Sequence, residues 1–132
     1  MTSPFYISTA ISYTNGSPHI GHAYEVIAAD VIARFKKLDG YDVFFLTGTD
    51  EHGLKIQRAA EKEGMETLKF CDTISQTFKD LSKILNLTNT DFIRTTEERH
   101  LKSVQYLWNE LEKNDDIYLS KYSGWYSVSD EA

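Results

Sequence analysis

Apolar and polar positions along this chain alternate between a period of about two and a period of about 3.6. Residues 5–11, Phe5-Tyr6-Ile7-Ser8-Thr9-Ala10-Ile11, are apolar and β-rich and predict a first strand, followed by turn chemistry at Asn15-Gly16-Ser17-Pro18. From residue 23 to 37 the spacing is helical, with Tyr24, Ala28, Val31 and Phe35 on one stripe and Ile27 beside it. Asp39-Gly40 ends that helix, Gly40 supplying the left-handed residue beyond its C-terminus. Residues 42–47 form a short apolar run that predicts a buried strand, ending in Gly48-Thr49-Asp50-Glu51-His52-Gly53. Helical patterns follow over residues 54–63 and 67–85, the second with Phe70, Ile74, Phe78, Leu81 and Leu85 at helical spacing. Residues 91–95 read as a third extended piece, and Thr95 with Glu98 as a capping box for a helix carrying Leu101, Val104, Trp108 and Leu111. After Asn114-Asp115-Asp116 the period changes. Residues 117–120 and 125–128 flank Lys121-Tyr122-Ser123-Gly124 in the pattern of a β-hairpin.

Strands alternating with helices predict an α/β fold with a doubly wound, mostly parallel, Rossmann-like sheet, whose ligands lie at the carboxyl ends of the strands. Two unusual segments fall at such ends. His19-Ile20-Gly21-His22 sits where a strand gives way to a helix. There, unpaired backbone N–H groups and the positive end of the helix dipole face one spot. Two imidazoles three residues apart share a helix face and reach toward it, a geometry suited to a polyphosphate. The second segment surrounds Asp50, and the coincidence argues for one shared site.

The chain's 132 residues suffice for one domain with a core. A net charge of −6 argues against gripping nucleic acid over a broad basic face, without excluding a local phosphate site. Cys71 is the single cysteine, so no internal disulfide or thiolate metal cluster can form, and a reducing cytosol is expected. Met1-Thr2-Ser3-Pro4 lacks the regions of a signal peptide, and apolar stretches such as Val43-Phe44-Phe45-Leu46 are far too short to cross a bilayer. A soluble cytoplasmic protein with no membrane partner is therefore expected.

The segments Ala10-Ile11-Ser12-Tyr13-Thr14-Asn15-Gly16-Ser17-Pro18-His19-Ile20-Gly21-His22-Ala23 and Phe44-Phe45-Leu46-Thr47-Gly48-Thr49-Asp50-Glu51-His52-Gly53 resemble the N-terminal catalytic region of methionyl-tRNA synthetases. The His-Ile-Gly-His element is a signature of class I aminoacyl-tRNA synthetases, and Gly-Thr-Asp-Glu-His-Gly narrows the resemblance to the methionine enzymes. Asp91-Phe92-Ile93-Arg94-Thr95-Thr96-Glu97-Glu98-Arg99-His100 adds a third block. The resemblance implies that methionine's carboxylate attacks the α-phosphate of ATP, supplied with Mg2+, and that the methionyl group then passes to tRNA(Met). It makes His19 and His22 donors to the phosphates and lets Gly21 bring adenine or ribose close to the backbone. Asp50 becomes the anchor of the amino group, Ala10, Ile11 and Tyr13 wall the methionine pocket, and His52 joins the site. No bound metal is implied for this segment.

The same resemblance divides the chain into residues 1–115, the first half of the catalytic domain, and 116–132, the start of a connective insertion. Ser127-Val128-Ser129-Asp130 stands where many members open a Cys-x-x-Cys metal pair. A Lys-Met-Ser-Lys-Ser loop and an anticodon-binding domain are absent from these residues. The implied identity is thus the N-terminal part of a longer polypeptide, not expected to complete catalysis by itself.

Plainer readings stand beside these. Asp50-Glu51 can serve as a helix cap, Tyr13 as a core aromatic, Cys71 as a small buried hydrophobe, and a lone His-x-x-His as mere structure. Rival functions are a synthetase for another aliphatic amino acid, a metallohydrolase using His19, His22, His52 and Asp50, and a non-catalytic interaction module.

Overall fold

In a computed structural model of the chain, residues 2–127 and 130 are described. Two compact units are distinguished, Met1–Leu101 and Lys102–Ala132. The first holds a four-stranded, wholly parallel sheet built on one long strand, β3. In chain order the elements are β1 (Pro4–Ser8), β2 (Ser12–Tyr13), α1 (Ile20–Leu38), β3 (Asp42–Asp50), α2 (Leu54–Lys62), α3 (Thr67–Ile84), β4 (Asp91–Arg94) and α4 (Glu98–Lys113). β3 pairs with β1, β2 and β4, so every strand end that matters converges on residues 46–50.

The single strand expected over residues 5–11 is two strands. Ser8 pairs with Leu46 and Ser12 with Thr49, so four steps on one side stand against three on the other. One residue is in excess, which is the definition of a bulge, and the chain kinks at residues 9–11. The kink is pinned: the Thr9 and Thr47 hydroxyls share a hydrogen bond of 2.8 Å, and the Ala10 N–H donates to Glu25 Oε1 of α1 at 2.9 Å. β3 in turn runs past residue 47 to Asp50. Gly48 permits this, because a Cβ there would lie 2.1 Å from the Ile93 carbonyl oxygen of β4.

α1 starts earlier than the apolar period suggests, at Ile20, with His19 as its N-cap. It ends as expected, Gly40 adopting a φ of +87° while the Tyr41 N–H reaches back to the Lys36 carbonyl. The face of α1 packed on the sheet is Ala29 and Ala33 against Phe45, Ile7 and Val43, small residues that let helix and sheet approach closely. The large stripe of Tyr24, Val31 and Phe35 is exposed. A second cluster, Ile56, Ala60, Phe70 and Cys71, joins α2 to α3. Asp30 is the buried carboxylate of α1, and it receives Arg34 Nε and both the N–H and hydroxyl of Thr88.

Thr95 does not form the expected capping box. Its hydroxyl is engaged by Glu51 and Asp50, and the first turn of α4 closes through the Glu97 carbonyl, which accepts from the Leu101 N–H. In the second unit, Asp115 takes a φ of +59° just past α4. Residues 117–127 carry no strand, so the expected hairpin is not formed among the described residues; its Val128 lies outside them. Tyr118, Leu119, Tyr122 and Trp125 are exposed there, and two short strands without a packed face are marginal.

Candidate active site

At the start of α1, two histidines cap one another's backbone. The Gly21 N–H donates to His19 Nδ1 and the His19 N–H donates to His22 Nδ1, each at 3.1 Å, a reciprocal capping box made of imidazoles. The rings stack with centroids 3.8 Å apart. His19 therefore lies just outside the helix, one step earlier than a shared first-turn face would place it. Because each Nδ1 accepts a hydrogen bond, the neutral tautomer carries its hydrogen on Nε2, an N–H donor that bonds nothing else among the described residues. Burial pushes the His22 pKa below 6.5, the neighbouring His19 lowers it further, and Glu25 opposes them in part. Gly21 has a local reason to be glycine: a Cβ would stand 2.9 Å from His19 Cε1 and displace the capping ring.

Asp50 is the last residue of β3, paired in register with Tyr13. Its Oδ1 accepts from the His52 N–H at 3.2 Å and from the Thr95 hydroxyl at 3.4 Å. Among the described residues, Oδ2 has no hydrogen bond. His52 is held nearby, with Nε2 3.4 Å from the Thr95 carbonyl oxygen. Tyr13 is partly exposed, Ile11 sits on the kink between β1 and β2, and Ala10 is the residue tied to Glu25. Ala10, Ile11, Tyr13, Asp50 and His52 thus gather at the carboxyl ends of β1, β2 and β3.

No hydrogen bond or ring contact among the described residues joins the imidazole pair to Asp50. One face of α3 touches His22 and, on the strand side, Thr49 and Thr14, the neighbours of Asp50 and Tyr13. His22 packs edge-on against Phe78 with centroids 5.1 Å apart; Ser75 bonds the Thr49 hydroxyl at 3.1 Å; Cys71 Sγ lies 3.3 Å from the Thr14 hydroxyl. Residues 71, 75 and 78 form one helical stripe, and seven helical residues span roughly 10 Å.

Beneath Asp50 lies a buried polar cluster that the sequence pattern did not single out. Glu51 is fully buried; Arg94 grips it with Nε and Nη2 at 2.6 and 3.0 Å, and the Thr49 and Thr96 hydroxyls donate to the same carboxylate. Arg94 Nη2 also reaches Asp72 at 2.5 Å. Burial alone would raise the Glu51 pKa, but these donors outweigh it and hold the group below its ordinary 4.5. The adjacency of Asp50 and Glu51, two carboxylates in sequence at a strand end with an arginine on the neighbouring strand, is the signal that could have revealed it.

Residues 5–132 match the family described as tRNA synthetases class I (M). The chain belongs to that family. It is 56% identical over 131 residues to the methionine–tRNA ligase of Rhizobium meliloti (strain 1021), a match that takes in 99% of this chain and 25% of the relative. The Mycobacterium tuberculosis methionyl-tRNA synthetase in complex with methionyl-adenylate superposes with a TM-score of 0.95 at 51% identity, over 99% of this chain and 26% of that one. A leucine relative, the LeuRS–tRNA–LeuAMS ternary complex from Agrobacterium radiobacter K84, has a TM-score of 0.77 at 27% identity, over 89% of this chain and 15% of that one. The chain spans about a quarter of the length of the curated relatives it matches.

In this class I (M) chain, the metallohydrolase reading lacks a ligand set. Among the described residues no group of three or more His, Cys, Asp and Glu is placed to hold a metal ion. The His19 and His22 rings spend their Nδ1 atoms on backbone and face each other rather than a common centre. No helix among the described residues is long and apolar enough to cross a membrane.

Proposed function

We propose that this chain is the methionine- and ATP-binding part of a methionine–tRNA ligase acting in the cytoplasm. The observation that carries the reading is the likeness, at half identity and near-identical fold, to a synthetase in complex with methionyl-adenylate. The local chemistry agrees with it. Methionine's ammonium pairs with Asp50, whose Oδ2 is free to accept. The thioether lies among Ala10, Ile11 and Tyr13, where dispersion contacts suffice, with His52 at the margin. ATP, brought with Mg2+, places its phosphates before the α1 N-terminus; Gly21 leaves room there, and His19 and His22 donate from Nε2.

A carboxylate oxygen of methionine attacks the α-phosphorus, a new P–O bond forms, and the bond to the β-phosphate breaks to release pyrophosphate. Negative charge grows on the phosphate oxygens during this exchange, and fixed neutral donors stabilise it with little reorganisation. In the second step a ribose hydroxyl of the terminal adenosine of tRNA(Met) attacks the methionyl carbonyl, and AMP leaves. The residues beyond 115 begin a connective insertion on this reading.

The test is amino-acid-dependent ATP–pyrophosphate exchange by the full-length polypeptide, comparing methionine with leucine, isoleucine and valine. Methionine should dominate. Preference for leucine would favour the second reading, an enzyme for another aliphatic amino acid, which the LeuRS likeness keeps in view.

A further inference from the structure

Three consecutive residues at the end of β4 all address two consecutive residues at the end of β3. Arg94 binds the Glu51 carboxylate through two nitrogens, at 2.6 and 3.0 Å. The Thr95 hydroxyl accepts from the Glu51 N–H at 2.8 Å and faces Asp50 Oδ1 at 3.4 Å. The Thr96 hydroxyl donates to Glu51 Oε2. Thr95 also closes the ladder, its N–H donating to the Thr49 carbonyl at 3.2 Å.

We propose that Thr95 and the buried Glu51–Arg94 pair are positioning residues for Asp50, fixing Oδ1 so that Oδ2 alone is presented to the ammonium of the amino acid. This rests on the reading that Asp50 is the ammonium anchor. Two physical points carry it. First, the Thr95 hydroxyl has a lone pair committed to the Glu51 N–H, so its own hydrogen is directed to Asp50 Oδ1, and the His52 N–H takes the same oxygen at 3.2 Å. A carboxylate pinned through one oxygen keeps a defined direction for the other. Second, a guanidinium beside an anchoring carboxylate is a rival for the substrate's cation. Arg94 is withheld from Asp50 because Glu51, buried with 0% of its side chain exposed, and Asp72 occupy it. Two adjacent carboxylates thereby divide the work: Glu51 neutralises the protein's own cation, and Asp50 remains available to the ligand's.

The experiment is pyrophosphate exchange by the full-length polypeptide, with KM for methionine, KM for ATP and kcat measured for Thr95→Val, Thr95→Ser, Glu51→Gln and, as reference, Asp50→Asn. Thr95→Val keeps the shape but removes the hydroxyl, and a lost hydrogen bond to a charged group corresponds to roughly a 10-fold rise in methionine KM. ATP KM should stay at its starting value, and Thr95→Ser should return methionine KM to near that of the parent. Glu51→Gln should raise methionine KM as well, since it releases Arg94 toward Asp50. If Asp50→Asn raises methionine KM while Thr95→Val and Glu51→Gln do not, the positioning role is wrong and the anchor stands. If Asp50→Asn leaves methionine KM unchanged, the anchor reading itself falls. Variants that lower kcat while shifting both KM values together would mark these residues as structural only and overturn the proposal.

Discussion

His19 and His22 hold each other: their rings lie stacked at 3.8 Å, and His22 Nδ1 accepts the hydrogen of the His19 backbone N–H. A capping box is ordinarily built from a hydroxyl and a carboxylate or amide. Built from two imidazoles, it works only while both Nδ1 atoms are bare. Protonating either ring puts a hydrogen where an acceptor is needed.

A pH dependence follows directly. The folded-state pKa of His22 lies below 6.5 because of burial and the His19 neighbour, so the unfolded chain binds protons more readily in the window just under 6.5. Stability from the box is therefore complete above 6.5 and declines as the pH falls from there toward the folded value. Titration of the His22 ring proton by NMR should give a midpoint below 6.5. A midpoint at or above 6.5 would show that the ring is not held as described.

His22→Ala should slow pyrophosphate exchange by the full-length polypeptide by about 100-fold, the usual scale for deleting one fixed donor to developing charge. Methionine KM should hardly move, since Asp50 is not in contact with this ring. Equal losses in kcat and methionine affinity would count against separate roles.

Gly21→Ala separates helix stability from site geometry. Alanine at a helical position gains up to about 1 kcal/mol over glycine, while loss of an N-cap contact costs about as much. The added Cβ would sit 2.9 Å from His19 Cε1 and 3.1 Å from its Nδ1. Thermal melting should thus stay near that of the parent while exchange activity drops. Melting and activity falling in parallel would mean that the glycine serves packing alone.

How far the chain's letters foretold these features depends on the range of the forces involved. Gly40, the α2 and α3 boundaries and the β3 core were legible because caps and apolar periods act within a few residues. The split of β1 from β2 was not, since the excess residue exists only relative to Leu46–Thr49 across the sheet. The buried face of α1 was not legible for a similar reason: Ala29 and Ala33 pack on the sheet by being small, a fact about the neighbour's distance that hydropathy does not encode. Asp50, His19 and His22 stood out through motif and strand-end position. Glu51 and Thr95 drew only helix-capping readings and Arg94 no role, because their significance lies in pairing across 43 or 44 residues of chain.

Gly48→Ala tests the β3–β4 contact that lets the strand extend to Asp50. A Cβ 2.1 Å from the Ile93 carbonyl oxygen and 2.7 Å from its Cγ2 cannot be accommodated by rotating a side chain. The strands must part, at a cost of about 1–3 kcal/mol typical of overpacking. Urea denaturation should show this loss. An unchanged midpoint would mean that β4 is looser than its hydrogen bonds to β3 suggest.

Glu51 should leave its mark on acid stability. Its carboxylate is depressed below 4.5 in the folded state: burial opposes ionisation, but Arg94 and the Thr96 and Thr49 hydroxyls outweigh it. A group of this kind contributes stability that is fully present above 4.5, where even the unfolded chain is ionised. That contribution is lost as the pH falls from 4.5 through the lower folded value, because the unfolded chain takes up the proton first. Glu51→Gln removes the titrating group and the charge that pairs with Arg94. The variant should be less stable than the parent at pH 7, and the gap should narrow as the pH falls below 4.5 in parallel denaturation series. A gap of constant size over that fall would show that Glu51 is not ionised in the fold, and the Arg94 pairing would have to be abandoned.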